Sequence, residues 1–307
     1  MPREKIDEVQ IDRPHRVACL RTLPRCHDVR DVWGWGASPK ESRRIFETFA
    51  AAGGNFIDTA DLYTNGTSEK LVGEMVAGDR ERFVLATKYT NSNPGTDPNA
   101  AGNHRKNMRQ SLEASLRRMK VDCVDIYWRH AWDFTSPVEE IMWVFDDMVR
   151  AGKVLYIGVS DTPAWIVSRA NTLSELRGWS RFIALQVEYS LVERTSEREL
   201  LPMARALGLD ITAWSPLGSG LLTGKYTRSD AGGGDRRLDK AAFKEINDDN
   251  NSNAREVDRV ANENGSFPAQ VALNRVRQQA RVKPIIGART ANQVQQKLAC
   301  LAIRLNA

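Results

Sequence analysis

Short apolar runs and longer amphipathic stretches alternate along this chain of 307 residues. Seven runs are rich in β-branched and aromatic residues, which is typical of strands buried on both faces. They lie at 55–58, 83–88, 124–128, 154–160, 182–187, 210–214 and 282–286. Regular alternation of such strands with helices predicts an α/β fold in which helices cover a parallel sheet.

The spacing of the runs favours a closed barrel. Most strand ends lie about 27 to 40 residues apart, the length of one strand–helix unit. We therefore predict a (β/α)8 TIM barrel as a single domain over residues 1–307. The eighth strand should lie within 16–35, before the first amphipathic stretch. The longest gap, 215–281, is expected to contain a large loop with a flexible patch at 228–237.

A doubly wound nucleotide-binding sheet is the competing architecture. It would carry G-x-G-x-x-G after its first strand, and no such motif precedes Asp58. The GSG stretch at 218–220 departs from a P-loop, because Tyr226 follows Lys225 where serine or threonine is needed. Any nucleotide must therefore be held in another way.

Helix starts are predicted where a capping residue precedes an amphipathic stretch. Ser38 and Ser136 each stand before a proline and three residues before a glutamate, which predicts two N-caps. Thr290 stands three residues before Gln293 and is predicted to cap the last helix in the same way.

Composition narrows the class of protein. The chain is 41% hydrophobic and 27% charged, with a formal net charge of +5 spread among acidic residues. This predicts a globular protein with no nucleic-acid partner, and the absence of a long apolar run predicts no membrane span or secretory signal. Four irregularly spaced cysteines favour a reduced, cytoplasmic protein, and Cys19, Cys26 and His27 match no zinc spacing, so no metal is expected.

Polar side chains stand at or just after the ends of three consecutive predicted strands. They are Asp58 with Tyr63 beyond it, Lys88, and His130. In a barrel of this type, strand ends and the loops after them build the active site. An ammonium group lowers the pKa of a nearby tyrosine, a carboxylate holds the ammonium in place, and an imidazole can orient a carbonyl group. Together they would form a proton donor for carbonyl reduction.

Several long motifs resemble the aldo-keto reductase family, and more specifically its potassium-channel β-subunit-like branch, in the family's own order. They are FIDTADLYTNGTSEKLVGE, VLATK, DIYWRHAWD, GKVLYIGVSD, ALQVEYSLVER, ITAWSPLGSGLLTGKY and KPIIGARTANQVQQKL, within residues 36–301. The resemblance implies a (β/α)8 barrel that reduces aldehydes or ketones with NADPH or NADH. By resemblance, Tyr63 is the general acid, Lys88 lowers its pKa, Asp58 pairs with Lys88 and His130 orients the carbonyl.

The resemblance also implies a cofactor site. Ser160, Asp161 and Gln186 would bind the nicotinamide carboxamide, although the family commonly has asparagine where Asp161 stands. Trp214 would stack on the nicotinamide. The expected pyrophosphate loop comprises Ser215, Pro216, Leu217, Gly218, Gly220 and Lys225. The start of the last helix is expected to comprise Gly287, Ala288, Arg289, Thr290 and Gln293. Its free N–H groups and Arg289 would suit a 2′-phosphate, which favours NADPH over NADH.

Aromatic residues are predicted around the mouth of the barrel. Trp33, Trp132 and Phe134 are expected to contact a small carbonyl substrate, either partly apolar or sugar-like. Two alternatives remain open within the same fold. One is a cofactor-binding regulatory subunit, as in the potassium-channel β-subunit branch of the family, and the other is a weakened enzyme. Neither a monomer nor a homo-oligomer is favoured.

Residues 1–35 form an atypical N-terminal segment. Where the family has an apolar first strand ending in glycine, residues 16–32 carry arginines and Pro24 and lack glycine. One hypothesis is a compensated frameshift around 25–30, and the other is a degenerate but real strand within 17–23. Either predicts a weak first wall of the barrel. Arg129 is also unusual, since it alternates away from His130 and should face the helix layer.

Overall fold

A computed structural model describes residues 19–21, 37–91, 97, 99–227, 247–303 and 305. Within these residues eight parallel strands follow one another around a closed barrel, and the last pairs with the first. This confirms the predicted TIM barrel. The strands are β1 (Cys19–Arg21), β2 (Phe56–Asp58), β3 (Val84–Tyr89), β4 (Val124–Arg129), β5 (Val154–Ser160), β6 (Phe182–Glu188), β7 (Asp210–Trp214) and β8 (Val282–Ile286).

Helices cover the outside of the barrel. Those in the described residues are α1 (Pro39–Ala51), α2 (Thr67–Val76), α3 (Arg105–Met119), α4 (Val138–Arg150), α5 (Ala164–Arg177), α6 (Leu200–Ala206), α7 (Asp248–Glu263), α8 (Pro268–Arg277) and α9 (Ala291–Leu298). No helix in this described part is long and apolar enough to cross a membrane.

The predicted N-caps have different outcomes. Ser38 caps α1 by accepting a hydrogen bond from the Glu41 N–H at 3.2 Å, and Thr290 caps α9. The prediction for Ser136 is wrong, because α4 begins at Val138 and its N-cap position is Pro137. The Ser136 hydroxyl instead donates to Asp133 at 2.8 Å. A carboxylate brought close by the preceding loop therefore takes the hydroxyl that local sequence assigned to the helix.

The first strand is short but present. Residues Cys19–Arg21 pair in parallel with β2 at three positions and with β8 at two. This confirms the eighth strand expected within 16–35 and agrees with a degenerate but real strand. Residues 25–30, on which the frameshift hypothesis rests, lie outside the described residues, as does the predicted flexible patch at 228–237.

Alternation along each strand divides the side chains between two regions. The outward set packs against the helices and includes Leu85, Tyr127 and Leu185. The inward set forms a separate apolar cluster inside the barrel, which comprises Phe56, Ala86, Ile126, Trp128, Ala184 and Ile285. Polar residues continue the inward rows above this cluster. This apolar cluster therefore forms a floor inside the barrel, below the polar residues at the strand ends.

Gly158 makes room for the indole at this floor. It lies opposite Trp128 in the β4–β5 register, and a Cβ added to Gly158 would come within 2.3 Å of the Trp128 ring. Because Trp128 is fully buried among packed neighbours, its ring has little freedom to move.

We expect Gly158→Ala to lower the free energy of unfolding by about 1–3 kcal/mol, because it overpacks the barrel interior. Chemical denaturation of both proteins would measure the difference. Gly78→Ala is the matched control, since nothing lies within 4 Å of a Cβ added there. Equal stability of Gly158→Ala and the wild type would contradict the proposed close contact.

Candidate active site

A buried ion pair lies at the centre of the barrel mouth. The Lys88 ammonium contacts the Asp58 carboxylate, and both side chains are fully buried. Lys88 also donates to the Thr59 carbonyl oxygen at 2.8 Å, and the Gln186 amide donates to the other Asp58 oxygen at 3.2 Å. A buried ion pair is tolerated only when its remaining donors and acceptors are satisfied, and these two bonds meet that need. The pair joins β2, β3 and β6.

Tyr63 lies directly over this pair. Its ring centroid is 5.1 Å from the Lys88 ammonium nitrogen, and its side chain is buried. The ring also meets the His130 ring edge-on, with 5.9 Å between centroids. The four residues predicted to act together in catalysis, Asp58, Lys88, Tyr63 and His130, are therefore neighbours at the carboxyl ends of their strands.

A strained turn follows Tyr63. Thr64, Asn65 and Gly66 all have left-handed backbone conformations, with φ of 48°, 52° and 82°. A Cβ at Gly66 would lie 2.7 Å from the Arg118 side chain, so the turn needs glycine there for space as well as for conformation. Such strain persists only where surrounding structure holds it, and it is common at functional sites. The turn returns the chain abruptly into α2 and leaves the Tyr63 ring over the barrel mouth.

Two buried acids support this turn from outside the barrel, and sequence reasoning missed both. Glu69 accepts hydrogen bonds from the Thr87 hydroxyl and the Arg118 guanidinium, each at 2.5 Å. Asp61 is buried nearby, and burial together with the Glu69 charge raises its pKa to about 7. The signal was present as two acids close to Tyr63, but exposed and buried acids look alike in a sequence.

The residues predicted to bind a nicotinamide carboxamide differ in whether their polar groups are already hydrogen-bonded within the protein. The Ser160 hydroxyl is buried and has no hydrogen-bond partner among the described residues. The Gln186 amide already donates to Asp58. Asp161 has a left-handed φ of 41° and accepts from the Trp214 indole N–H at 3.3 Å. Asp161 therefore orients the indole that is predicted to stack on the nicotinamide, while Ser160 is left with an unused polar group.

A groove of about 580 Å³ runs from Trp214 to the start of α9. Ten residues predicted to bind the cofactor line it: Trp214, Ser215, Pro216, Leu217, Gly220, Lys225, Gly287, Ala288, Arg289 and Gln293. Five others predicted for the same role do not line it: Ser160, Asp161, Gln186, Gly218 and Thr290. The first three of these five lie at the ends of β5 and β6, beside the ion pair.

Two backbone N–H groups at the start of α9 are already hydrogen-bonded within the protein. The backbone N–H of Ala291 donates to the Glu41 carboxylate at 2.8 Å, and the backbone N–H of Arg289 donates to the Gln293 side-chain oxygen at 2.8 Å. The prediction that free N–H groups of α9 receive a phosphate is therefore wrong for these two groups. Each is already bonded within the protein, the first because α1 packs beside α9.

Lys297 is a groove residue that sequence reasoning missed. It lines the groove with Lys225 and Arg289, and its ammonium donates to the Gly287 carbonyl oxygen. Burial and the charges of Lys225 and Arg289 lower the pKa of Lys297 to about 8. Its spacing of four residues from Gln293 was the available signal, because residues four apart share one face of a helix. Three converging cations make this end of the groove suited to a phosphate group.

The loop after β4 presents two aromatic rings at the mouth. Trp132 is partly buried and meets Phe134 edge-on with 6.2 Å between ring centroids. Phe134 is 75% exposed and has a left-handed φ of 60°, which is unusual for a bulky residue. Asp133 holds the loop by accepting from the Asn103, Thr135 and Ser136 N–H groups. Trp33, also predicted at the mouth, lies outside the described residues.

No group of three or more histidine, cysteine or acidic side chains that could hold a metal ion occurs among the described residues. Cys26 and His27, which entered the sequence argument about zinc, lie outside them.

The fold and the site together have the form of an α/β-barrel enzyme whose polar centre adjoins a groove lined by Lys225, Arg289 and Lys297. The model of the aldo/keto reductase family matches residues 29–307. The chain therefore belongs to the aldo/keto reductase family and is an oxidoreductase, as its motifs predicted. The more specific resemblance to the potassium-channel β-subunit branch stays a prediction.

Curated relatives are reductases and dehydrogenases. The chain is 36% identical over 310 residues to a norsolorinic acid reductase of Emericella nidulans, an alignment that covers 95% of this chain and 78% of the relative. It is 34% identical over 297 residues to the aryl-alcohol dehydrogenase [NADP(+)] of Phanerodontia chrysosporium, covering 91% and 77%. A putative aryl-alcohol dehydrogenase of Saccharomyces cerevisiae is 34% identical over 301 residues, covering 90% and 77%.

Asp61 predicts a specific pH dependence of stability. Its pKa is about 7 in the folded protein and about 3.9 in an unfolded chain. The folded state therefore binds more protons between these values, so the contribution of Asp61 to stability is full below about pH 4 and is lost as the pH rises to about 7. We expect Asp61→Asn to melt at a higher temperature than the wild type at pH 8, with little difference at pH 4.5.

Melting curves across this pH range would measure the difference between the two proteins. Asp122→Asn, at an exposed position, is the control for the loss of one carboxylate. A pH-independent difference for Asp61→Asn would show that the folded protein does not hold this carboxyl protonated.

Proposed function

We propose that this protein reduces aldehyde or ketone groups to alcohols by hydride transfer from NADPH, with Tyr63 as the proton donor. The observation that carries the proposal is the position of Tyr63 over the fully buried Lys88–Asp58 pair. The centroid of its ring lies 5.1 Å from the Lys88 ammonium nitrogen. A cation against a phenol ring stabilises the phenolate that forms when the proton leaves. Asp58 holds the ammonium group in place as its ion-pair partner.

His130 complements the tyrosine. Its ring lies beside that of Tyr63, so a carbonyl oxygen between them can accept hydrogen bonds from both. When bound, NADPH supplies a hydride to the carbonyl carbon. The Tyr63 proton then passes to the carbonyl oxygen, the alcohol forms, and solvent returns a proton to the tyrosine. The protein residues thus hold the carbonyl, orient it and provide the proton.

The chain has groups that fit such a cofactor. The buried Ser160 hydroxyl, which has no partner in the described part of the chain, suits the nicotinamide carboxamide. Trp214 offers an aromatic face beside it, and the groove leads from there to Lys225, Arg289 and Lys297. These cations suit the pyrophosphate and the 2′-phosphate, which is the group that distinguishes NADPH from NADH. The name of the Phanerodontia chrysosporium relative includes NADP(+), in agreement with this choice.

We propose an aromatic carbonyl compound as the substrate class. Trp132 and Phe134 stand at the mouth with their rings edge-on to one another, a surface that suits a flat aromatic ring. The exposed Phe134 ring is held there by a backbone conformation that the Asp133 bonds support. The names of the relatives, aryl-alcohol dehydrogenases and a norsolorinic acid reductase, agree with aromatic substrates.

We expect Tyr63→Phe to lower kcat by about 10²- to 10⁴-fold, the usual contribution of a positioned general acid. Binding of NADPH should persist, because the ring and the ion pair remain. The measurement is NADPH oxidation with matched aromatic and aliphatic aldehydes, together with a fluorescence titration of NADPH.

Tyr156→Phe is the matched control, since that residue lies at the base of the barrel and should retain wild-type rates. Equal rates for Tyr63→Phe and the wild type would refute the general-acid role. NADPH binding by the wild type without turnover of any aldehyde would favour the cofactor-binding regulatory alternative.

We expect Arg289→Met to weaken NADPH binding by about 10- to 100-fold, the loss of a hydrogen bond between charged groups. NADH binding should change little, because NADH lacks the 2′-phosphate. Titrations of both cofactors would measure this, with the exposed Arg205→Met as the control for the loss of one positive charge. Parallel losses for the two cofactors would contradict the assignment of Arg289 to the 2′-phosphate.

A further inference from the structure

Arg129 is a fully buried arginine in a position where an apolar residue would be expected. It is the last residue of β4, and its side chain faces outward, between the inward-facing Trp128 and His130. Within the described residues its Nε and Nη1 atoms have no hydrogen-bond partner. Burying a charge without a paired carboxylate is costly, whereas an apolar residue of similar size would avoid the cost. The arginine therefore calls for an explanation beyond stability.

One contact of Arg129 reaches the exit of β5. Its Nη2 donates to the Thr162 hydroxyl, which in turn donates to the Ser160 carbonyl oxygen at 2.7 Å. Thr162 is buried, so this chain of hydrogen bonds is shielded from water. Arg129 thus fixes the backbone of the residue whose hydroxyl we assign to the nicotinamide.

A second contact reaches the aromatic mouth. The guanidinium lies over the Trp132 ring, 4.6 Å from its centroid. The backbone N–H of Trp132 donates to the Asp161 carbonyl oxygen at 3.2 Å, which links the two exit loops directly. The arginine therefore touches both the ring assigned to the substrate and the strand end assigned to the cofactor.

The charge on Arg129 persists at neutral pH. Burial lowers its pKa to about 10, and the groups that face it electrostatically are Tyr89 and Asp133. Asp133 is held by the loop N–H groups and the Ser136 hydroxyl, and burial raises the pKa of Tyr89 so that it stays neutral. The guanidinium is therefore a permanent cation against the Trp132 ring, an interaction strengthened by exclusion of water.

We propose that Arg129 is a positioning residue that locks the β4 and β5 exit loops together, holding Trp132 for an aromatic substrate and Ser160 for the nicotinamide. The inference rests on the proposed function for the identity of these two ligands. Arg129 touches neither the substrate nor the cofactor. Its effect passes through the indole ring on one side and through Thr162 on the other.

Arg129→Met tests the proposal, because methionine keeps an apolar stem and removes both contacts. We expect the melting temperature to stay equal or rise, since a buried unpaired charge is removed. The KM for aromatic aldehydes should rise about five- to tenfold, as expected for loss of one cation–π contact. The KM for short aliphatic aldehydes and kcat should change much less. Arg129→Lys keeps the charge but not the planar fork, so it should give a smaller rise and serves if the methionine variant does not fold.

A readout that needs neither cofactor nor substrate accompanies the kinetics. Acrylamide quenching of fluorescence is measured for each protein and for its Trp132→Phe derivative. The difference between the two gives the quenching of Trp132. We expect this quenching to increase about twofold in Arg129→Met, because the ring loses the cation that covers one face. Arg177→Met is the matched control, because it also removes an arginine from the face of a tryptophan. The Arg177 guanidinium lies 5.9 Å from the ring centroid of Trp179, at the far end of α5.

The outcomes separate the two proposals. A wild type that reduces no aldehyde would refute the proposed function, and the Trp132 quenching would still test whether Arg129 positions the ring. An active wild type with unchanged KM and unchanged quenching in Arg129→Met would overturn the positioning role. A lower melting temperature with equal losses on all aldehydes would assign Arg129 to stability alone and would also overturn it.

Discussion

The buried contact between Lys88 and Asp58 constrains the whole upper half of the barrel. Both side chains are shielded from water, so separating them by even a small shift of register would leave a charge unpaired in a region of low dielectric constant. The carboxylate is also bound by Gln186 from the opposite side of the barrel. Strands β2, β3 and β6 must therefore hold their relative heights, and each of them contributes a residue to the apolar cluster around Trp128.

Arg129 is a second fully buried cation, and different partners stabilise its charge. Lys88 has a carboxylate partner inside the barrel, whereas Arg129 faces the helix layer and is partnered by a hydroxyl group and an aromatic ring. Lys88 faces the predicted reaction centre. Arg129 lies on the helix side of the sheet and joins the loops that follow β4 and β5. Lys88 on β3 and Arg129 on β4 thus stand on opposite sides of the sheet, because successive residues of a strand alternate in direction.

The strands could be read from the sequence with small errors. The run at 154–160 and the strand Val154–Ser160 coincide, because a continuous apolar run bounded by polar turns is a local signal. Ser38 was readable as a cap for the same reason. Ser136 was not, since its hydroxyl bonds to Asp133 in a loop that is also held by Asn103, thirty residues before Asp133 in the chain. Lys297 escaped notice because a lysine on a short helix normally points to solvent.

The sequence by itself determined the order of strands and helices, the family, and which polar residues stand at strand ends. These follow from local periodicity and from motifs, which need no knowledge of distant contacts. Only the tertiary structure decided which of those groups are buried, which hydrogen bonds they have already made, and which face one another. Gln186 bound to Asp58, Ala291 bound to Glu41, and Arg129 placed over Trp132 are examples. Burial and pairing depend on neighbours that closure of the barrel brings together from distant parts of the chain.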